Sequence, residues 1–285
     1  MTIRILRRRG LGNTSTLGIK AKSKNDIEII RNDKPVPNNT NILIRWGCTS
    51  QFPSEKTLNK VKGIQAVNNK YTSRKVLQEA GVNVPTLYAN DIVDFEIKNY
   101  PVIVRKHFHS QGRDLYLCNN QQEVQIAIQK LNAPTYISEY IKKDREFGVF
   151  VFKGRVWSVV EKTAKNDAAK NAIAWNVAQG THKFLNVRWN DWPVEVCKEA
   201  LNAFKCFDLD FGRVDLIVKD GKPYVLELNS AHSLTSDYRH EAFSKCLDYY
   251  VENGELKEEL DLENIKSYKS IIHPALRINK LGKNL

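Results

Sequence analysis

The stretch that decides the fold is Asp208–Leu234, DLDFGRVDLIVKDGKPYVLELNSAHSL. Apolar runs lie on both sides of Asp220-Gly221, so the segment reads as two antiparallel strands joined by a turn. Asp215 stands on the first strand and Glu227-Leu228-Asn229 on the second. Side chains alternate along a strand, so Glu227 and Asn229 share one face while Leu226 and Leu228 point into the core. Three oxygen-bearing side chains then converge on one small volume. That set suits Mg²⁺, which takes one or two carboxylates and completes its shell with water and phosphate oxygens. Paired acids on a hairpin are also common on solvated surfaces. Here the flanking apolar runs mark the strands as buried, and an acid at the end of a buried strand needs a partner or a metal.

The register carries a conflict. A two-residue turn at Asp220-Gly221 opposes Lys219 to Lys222 and Asp215 to Leu226, which sends Glu227 to the far face. Opposing Asp215 to Glu227 needs a shift of one position, from a three-residue loop over Asp220 to Lys222 or from a bulge in either strand. The metal reading therefore predicts a longer loop or a bulge.

The rest of the chain bounds this reading. It has 285 residues, 42% hydrophobic and 27% charged, enough for one large core or two to three small subdomains. The formal charge of +12 and pI near 9.4 suit an anionic ligand such as a nucleotide, an acidic metabolite or nucleic acid. A generally cationic surface fits the same numbers. Cys48, Cys118, Cys197, Cys206 and Cys246 form no Cys-x-x-Cys pair, so neither a zinc site nor a disulfide framework is expected. Arg7-Arg8-Arg9 is not followed by a long apolar region, so no secretory or twin-arginine signal is expected. No run approaches the roughly 20 apolar residues of a membrane span. The expectation is a cytoplasmic protein with no membrane contact.

Strand and helix signals alternate. Ile27 to Ile30 and Ile42 to Trp46 read as strands, followed by a short helix that Ser54 caps and Gly63 ends. A helix runs from about Thr72 to Ala80 and stops at Gly81, with Pro85 beyond. Val102 to Val104, Leu115 to Cys118 and Tyr136 to Ile141 read as strands, with a helix over Gln121 to Leu131. Glu146 to Phe152 and Val156 to Glu161 form a hairpin around Lys153-Gly154. A helix over 193 to 207 carries an apolar stripe, and a last helix holds Tyr238 to Tyr250. The tail from about Lys257 is charged.

The order of these parts resembles the ATP-grasp superfamily of carboxylate-amine ligases, and is similar to the ribosomal-protein-glutamate and D-alanine ligases, from about Val67 to Leu234. The matching pieces are Asn69-Lys70 before a helix ending Glu79-Ala80-Gly81-Val82-Asn83-Val84-Pro85, then Tyr100-Pro101-Val102-Ile103-Val104-Arg105, then Gly112. Ser138-Glu139-Tyr140-Ile141, Arg145-Glu146-Phe147 and the set Asp215, Glu227, Asn229 follow. Each is short, and the specificity lies in their order and spacing. The resemblance implies an α/β fold in which two α/β subdomains clamp ATP behind a small N-terminal α/β lobe. The expected parts are a lobe at 1–66, a lid at 67–141, a magnesium-bearing half at 142–252 and a tail at 253–285.

The resemblance also implies roles. Lys70 and Arg105 match the basic residues that hold nucleotide phosphates. Most members have lysine then proline where this chain has Arg105-Lys106, which leaves open which of the two faces the phosphates; a bidentate guanidinium favours Arg105. His107 to Gly112 matches the loop over the phosphates, with Gly112 at the close approach. Glu139, Tyr140 and Ile141 match the hinge that reads the adenine edge, and Glu146 the ribose-binding acid. Lys162, Asn176 and Gly180 fall where relatives contact transferred phosphate or substrate. Asp215, Glu227 and Asn229 match the ligands of Mg²⁺, as two ions, with Mn²⁺ as an alternative. His232 stands where members often have proline.

The implied reaction is ATP-dependent joining of a carboxylate, expected to be an amino acid, to an amine through an acyl phosphate, releasing ADP and phosphate. Two other readings remain: a phosphotransferase on the same fold, and a nucleic-acid-binding module using the positive charge with exposed aromatics among Trp46, Trp175, Trp189 and Trp192. Basic residues around Gly10 and Gly12 would face the substrate side, where backbone amides could form an anion nest. The substrates, whether small, nucleotide-linked or nucleic acid, and the oligomeric state are left open.

Overall fold

The computed structural model describes residues 1–8, 13–50, 52, 56–90, 97–109, 114–175 and 180–254. Gly10, Gly12, Ser54, Gly112, Asn176 and the tail beyond 254 lie outside them.

The chain begins with a parallel sheet. Strands β1 (Ile3–Arg7), β2 (Ile27–Arg31), β3 (Ile42–Trp46) and β4 (Lys56–Leu58) lie in the order β2-β1-β3-β4, with helix α1 (Asn13–Lys22) between β1 and β2. Strand β3 is buried along its whole length, which agrees with parallel strands being covered on both faces. The sequence reading missed β1 and α1, because IRILR holds two arginines among three aliphatic residues. In the fold the Arg4 guanidinium is buried against Glu28 and Thr40.

Helices α2 (Val61–Asn68) and α3 (Lys70–Glu79) follow. Gly63 does not end the helix as expected but lies inside it, where a Cβ would sit 2.1 Å from the Asp208 carbonyl oxygen. It is needed for close packing of α2 on the chain entering the decisive hairpin. The Asn69 side chain accepts from the Thr72 backbone N–H (3.0 Å) and starts α3.

The second sheet is antiparallel: β5 (Leu87–Asn90), β6 (Val102–Lys106), β7 (Leu115–Cys118) and β8 (Thr135–Glu139), in the order β5-β8-β6-β7, with α4 (Gln121–Leu131) packed on it. Val102, Val104, Val124, Ala127, Leu131 and Ile137 belong to a core cluster of their own. The third sheet has five antiparallel strands: β9 (Arg145–Phe152), β10 (Arg155–Ala164), β11 (His182–Asn186), β12 (Phe211–Lys219) and β13 (Lys222–Asn229), in the order β11-β10-β9-β12-β13. A short helix α5 (Asp167–Lys170) sits between β10 and β11, α6 (Val194–Lys205) packs on β9, β12 and β13, and α7 (Asp237–Asn253) closes the described chain against α1 and β10. One large cluster joins the third sheet to the first.

That shared core accounts for several aromatic residues. Trp46 is 1% exposed, Trp192 2% and Trp175 9%, and Trp189 packs against the core. The expected exposed aromatic platform for nucleic-acid bases is therefore absent at these four positions. Trp46 stacks on Phe211, and His232 is enclosed by Trp46, Phe150, Trp157, Phe211 and Phe243. His232 thus fills a core position.

Burial foremost, and then the nearby Arg213 charge, push the His232 imidazole from 6.5 down to about 3. Between these values the unfolded chain holds more protons than the native one. The contribution is intact above pH 6.5 and is lost as pH falls toward 3. In the nucleotide-free protein, His232→Leu should flatten the fall of urea-unfolding stability across that window; an unchanged slope would show that the native ring takes up its proton as readily as the unfolded one.

Candidate active site

The hairpin resolves its register conflict with a bulge. Lys219 pairs with Lys222 across a two-residue turn in which Asp220 (φ +49) and Gly221 (φ +76) are both left-handed, as a type I′ turn requires. Leu216 then pairs with Val225 while Asp215 pairs with Glu227, so Leu226 is the extra residue. This overturns one sequence expectation: Leu226 is only half-buried, and Val225 and Leu228 fill the core face. The Leu226 carbonyl accepts from Arg74 Nη2 (3.0 Å), and the Leu228 carbonyl from Lys70 Nζ (3.1 Å). Both donors come from α3, one turn apart, so they lie on one helix face.

The bulge places Asp215, Glu227 and Asn229 on one face. Asn229 Nδ2 donates to Asp215 Oδ2 and to Glu227 Oε1, each at 3.1 Å. Asp215 Oδ2 also accepts from Arg213 Nη2 (2.7 Å), whereas Asp215 Oδ1 is buried with no hydrogen-bond partner. Across the ladder from Asp215 is Gly148, where a Cβ would come 3.4 Å from Oδ1. Burial pushes the Glu227 pKa up, but Lys70 (Nζ 3.6 Å from Oε2) and Arg105, with the hydrogen bond from Asn229, outweigh it, and the group ends well below the usual carboxylate range. It is ionised at neutral pH. Among the described residues no group of three or more His, Cys, Asp and Glu could hold a metal. This site offers two carboxylates and an amide, with one orphaned oxygen, a donor set that fits Mg²⁺ and not a soft metal.

The same face carries a second charge cluster. Glu146 is 3% exposed and contacts Lys162, its partner across β9 and β10, and Lys143 Nζ (2.9 Å). Burial raises its pKa, and the two ammonium groups together reverse the direction. Burial works against the charge on Lys162 as well, and Glu146 then Asp215 bring its pKa above the ordinary value. Lys143 is lowered, chiefly by burial, and its ammonium lies over the Trp175 ring (4.9 Å).

The second sheet contributes from above. Arg105 Nη2 donates to His109 Nδ1 (2.8 Å), and His109 Nε2 contacts Tyr136 Oη (3.2 Å). Burial and then Arg105 push His109 down to about 3, so it is neutral. Accepting at Nδ1 leaves its proton on Nε2, which donates to Tyr136. Arg105 Nε is buried with no partner. Lys106 ion-pairs with Asp114 (3.1 Å) instead. Glu139 does not reach into the cleft: its Oε2 accepts from the Thr86 N–H (3.1 Å) and Oγ1 (2.9 Å). Tyr140 donates its N–H to the Pro101 carbonyl (3.3 Å), and Tyr140 and Ile141 are half-buried in the link from β8 to β9. Gly180 is left-handed (φ +75).

Sequence reasoning missed Arg74, Lys143 and Arg213 as members of the site, and placed His109 only within the loop His107 to Gly112. Arg213 was within reach, since it stands two residues before Asp215 on the same strand face, and Arg74 is four residues beyond Lys70.

Two antiparallel sheets with charged side chains gathered between them are the architecture of an ATP-grasp fold, and the comparisons agree. Residues 67–243 match the model of the RimK-like ATP-grasp domain. The chain belongs to that family. It is 28% identical over 177 residues to a D-alanine–D-alanine ligase of Fusobacterium nucleatum, covering 59% of this chain and 57% of the relative. It is also 28% identical over 205 residues to a probable alpha-L-glutamate ligase of Parasynechococcus marenigrum, covering 66% and 42%. The chain therefore spans about half the length of the curated relatives it matches. Among solved structures, D-alanine–D-alanine ligase from Bacillus anthracis complexed with ATP superposes with a TM-score of 0.61 at 15% identity, covering 98% of this chain and 99% of that one. The ATP-grasp ligase PsnB complexed with a minimal precursor gives 0.58 at 14% identity, covering 82% and 92%.

Arg74→Met should cost about 1 to 3 kcal/mol, because it leaves the buried Leu226 carbonyl without its donor. Lys75→Met, at an exposed ion pair on the same helix, should change stability by less than about 0.5 kcal/mol. Urea unfolding, with hydrogen exchange at the β13 amides, checks the contrast; equal effects would mean the bulge does not depend on Arg74.

Proposed function

We propose that the protein is an ADP-forming ligase that activates a carboxylate, that of an amino acid, and joins it to an amine. The observation that carries this reading is the bulge-driven meeting of Asp215, Glu227 and Asn229, with a buried carboxylate oxygen lacking any partner. In this reading these three side chains hold Mg²⁺, which when bound neutralises and orients the phosphate oxygens. Lys70 and Arg105 hold the phosphates from the lid side; Lys106, turned to Asp114, contributes less. The link Glu139, Tyr140 and Ile141 offers main chain to the adenine, and Glu146 meets the ribose. Lys162 lies between Glu146 and Asp215 and steadies the transferring phosphoryl group. Gly112 and Asn176 are assigned to the phosphate loop and the substrate side by resemblance alone.

The chemistry needs no covalent enzyme nucleophile. A carboxylate oxygen of the substrate attacks the γ-phosphorus, the bond to the bridging oxygen breaks, and ADP leaves with that electron pair. The amine then attacks the acyl carbon, a C–N bond forms, phosphate departs, and the amine loses a proton. Arg213 and Arg105 supply fixed positive charge where negative charge gathers, and the closed cleft keeps water from the acyl phosphate. Incubation with Mg·ATP and paired amino acids, read by ADP release and product mass, tests the reading. ADP release with a phosphorylated product and no amide would instead mark a phosphotransferase.

Glu227→Gln and Asn229→Ala should lower ADP release at least about a hundredfold with little loss of fold. Asp215→Asn should do the same and also lower the melting temperature, since it strips Arg213 of its counter-charge. Chelation should stop turnover and added Mg²⁺ restore it. Turnover near wild type in any one variant would remove that residue from the metal site.

Arg105→Ala should weaken ATP binding by about 1.5 to 3 kcal/mol through lost charge-assisted hydrogen bonds, and Lys106→Ala by less. Calorimetric titration with a non-hydrolysable ATP analogue reads both; the reverse order would place Lys106 on the phosphates.

A further inference from the structure

Arg105 is held by a side chain to which the proposed reaction gives no part. Its Nη2 donates to His109 Nδ1 (2.8 Å), and the other ring nitrogen, His109 Nε2, meets Tyr136 Oη (3.2 Å). Since Nδ1 accepts, the ring proton lies on Nε2 and goes to the tyrosine. Tyr136 is 1% exposed, so its hydroxyl is a fixed post. The chain leading to His109 is fixed as well. His107 gives its N–H to the Pro134 carbonyl (2.9 Å), accepts the Lys70 N–H (2.8 Å), donates from Nε2 to the Thr135 carbonyl (3.1 Å) and stacks on Tyr71 (4.8 Å). His109 is neutral, through burial and then the Arg105 charge, so it offers a hydrogen-bond acceptor and not a second cation.

Register and contacts show which way this assembly faces. Arg105 and Tyr136 are cross-strand partners in β6 and β8, so their side chains share one face of the second sheet. Helix α3 meets that face: the Arg74 guanidinium lies 5.7 Å from the centre of the Tyr136 ring, and the Tyr71 ring 6.5 Å from it. Arg74 in turn donates to the carbonyl of Leu226 (3.0 Å), the neighbour of Glu227. Arg105 therefore stands on the side of its sheet that is turned to the carboxylate hairpin. One of its donors, Nη2, is taken by His109, and its Nε is buried with no partner. A lysine, as most members have here, acts as a compact charge and needs no aiming. A guanidinium grips phosphate oxygens through a planar fork, which works only when the plane is aimed.

We propose that His109 is a positioning residue: its Nδ1 holds the Arg105 guanidinium so that the remaining donors face the nucleotide phosphates, and the Tyr136 hydroxyl keeps the ring in the tautomer that can accept. This rests on the proposed function for the place of the phosphates. The triad of Arg105, His109 and Tyr136 stands on the distances alone. His109 touches no reacting atom and works through Arg105.

The test is a double-mutant cycle read by calorimetric titration of the full chain with a non-hydrolysable ATP analogue and Mg²⁺. His109→Ala should weaken binding about tenfold, as for a misplaced charge-assisted contact. In the Arg105→Ala background the same change should add nothing, the mark of two residues that act as one. His109→Asn, whose amide oxygen falls near the place of Nδ1, should restore most of the affinity. His109→Gln, whose oxygen falls near the place of Nε2, should not. A merely structural histidine would lower the melting temperature and give the same loss with or without Arg105. That result, unchanged affinity in His109→Ala, or equal behaviour of the Asn and Gln variants would overturn the role, and the last comparison stands even if the alanine variant fails to fold. ADP release and amide product are followed separately. Amide formation with an affinity that ignores His109 would sink the positioning role and spare the ligase reading. The expected cycle with no amide product from any pair of amino acids would do the reverse.

Discussion

The carbonyl of Leu226 has to find a donor, and the rest of the site depends on how it does. A bulge breaks the ladder at one residue and leaves main-chain polar groups off the regular pattern. Inside a protein such a group costs on the order of 1 to 3 kcal/mol if nothing meets it. Arg74 meets it from α3, with Lys70 one turn earlier on the next free carbonyl of the same strand. Without the bulge, Glu227 would face away from Asp215. The helix that carries Lys70 is therefore also the one that meets the outer-edge carbonyls of β13 beside Glu227.

Separate cores give the molecule its working parts: besides a small cluster of Leu6, Ile30, Leu43 and Cys48 on the first sheet, there are two larger ones. The second sheet packs on its own apolar cluster, while the first and third sheets share one. Links between them include the Lys70 N–H to the His107 carbonyl (2.8 Å) and the stack of Tyr71 on His107 (4.8 Å). A body with its own core, joined by few polar contacts, is the kind of unit that moves as a whole. Most of the charges between the sheets are paired within one sheet, as Arg213 is with Asp215 and Lys162 with Glu146, while Lys70 reaches Glu227 from α3.

Positive charge gathers around the carboxylates of the hairpin, from Lys70 and Arg105 at Glu227 and from Arg213 at Asp215. Among the described residues, Arg105, Arg213 and Arg239 each hold a buried Nε with no partner, and Asp215 holds a buried oxygen with none. Unpaired buried donors and acceptors are rare in finished structures. Other such atoms lie in the aromatic core, on Trp46, Trp157 and His232, so those beside the carboxylate hairpin are part of a wider set. The same accounting explains why the excess charge of the chain did not require nucleic acid: the tryptophans are core, and part of the charge points inward.

The order of strands, helices and short basic and acidic pieces, read along the chain, carried the resemblance to the ATP-grasp family, put Glu227 and Asn229 on one strand face, and required a register shift to bring Asp215 opposite Glu227. Those are local features: period-two alternation, turn residues and spacing. The tertiary structure decided which remedy the hairpin took, because the donor that stabilises a bulge at Leu226 comes from Arg74, far away in sequence. It also turned Arg105 toward His109 and paired Lys106 with Asp114, since alternation says only that the two point apart, and which side each takes is set by sheet packing. It turned Glu139 to Thr86, enclosed His232 in aromatic rings, and brought Arg239 over Asn186. Each depends on contacts between segments far apart in the chain, and no local pattern of residue types encodes such a contact.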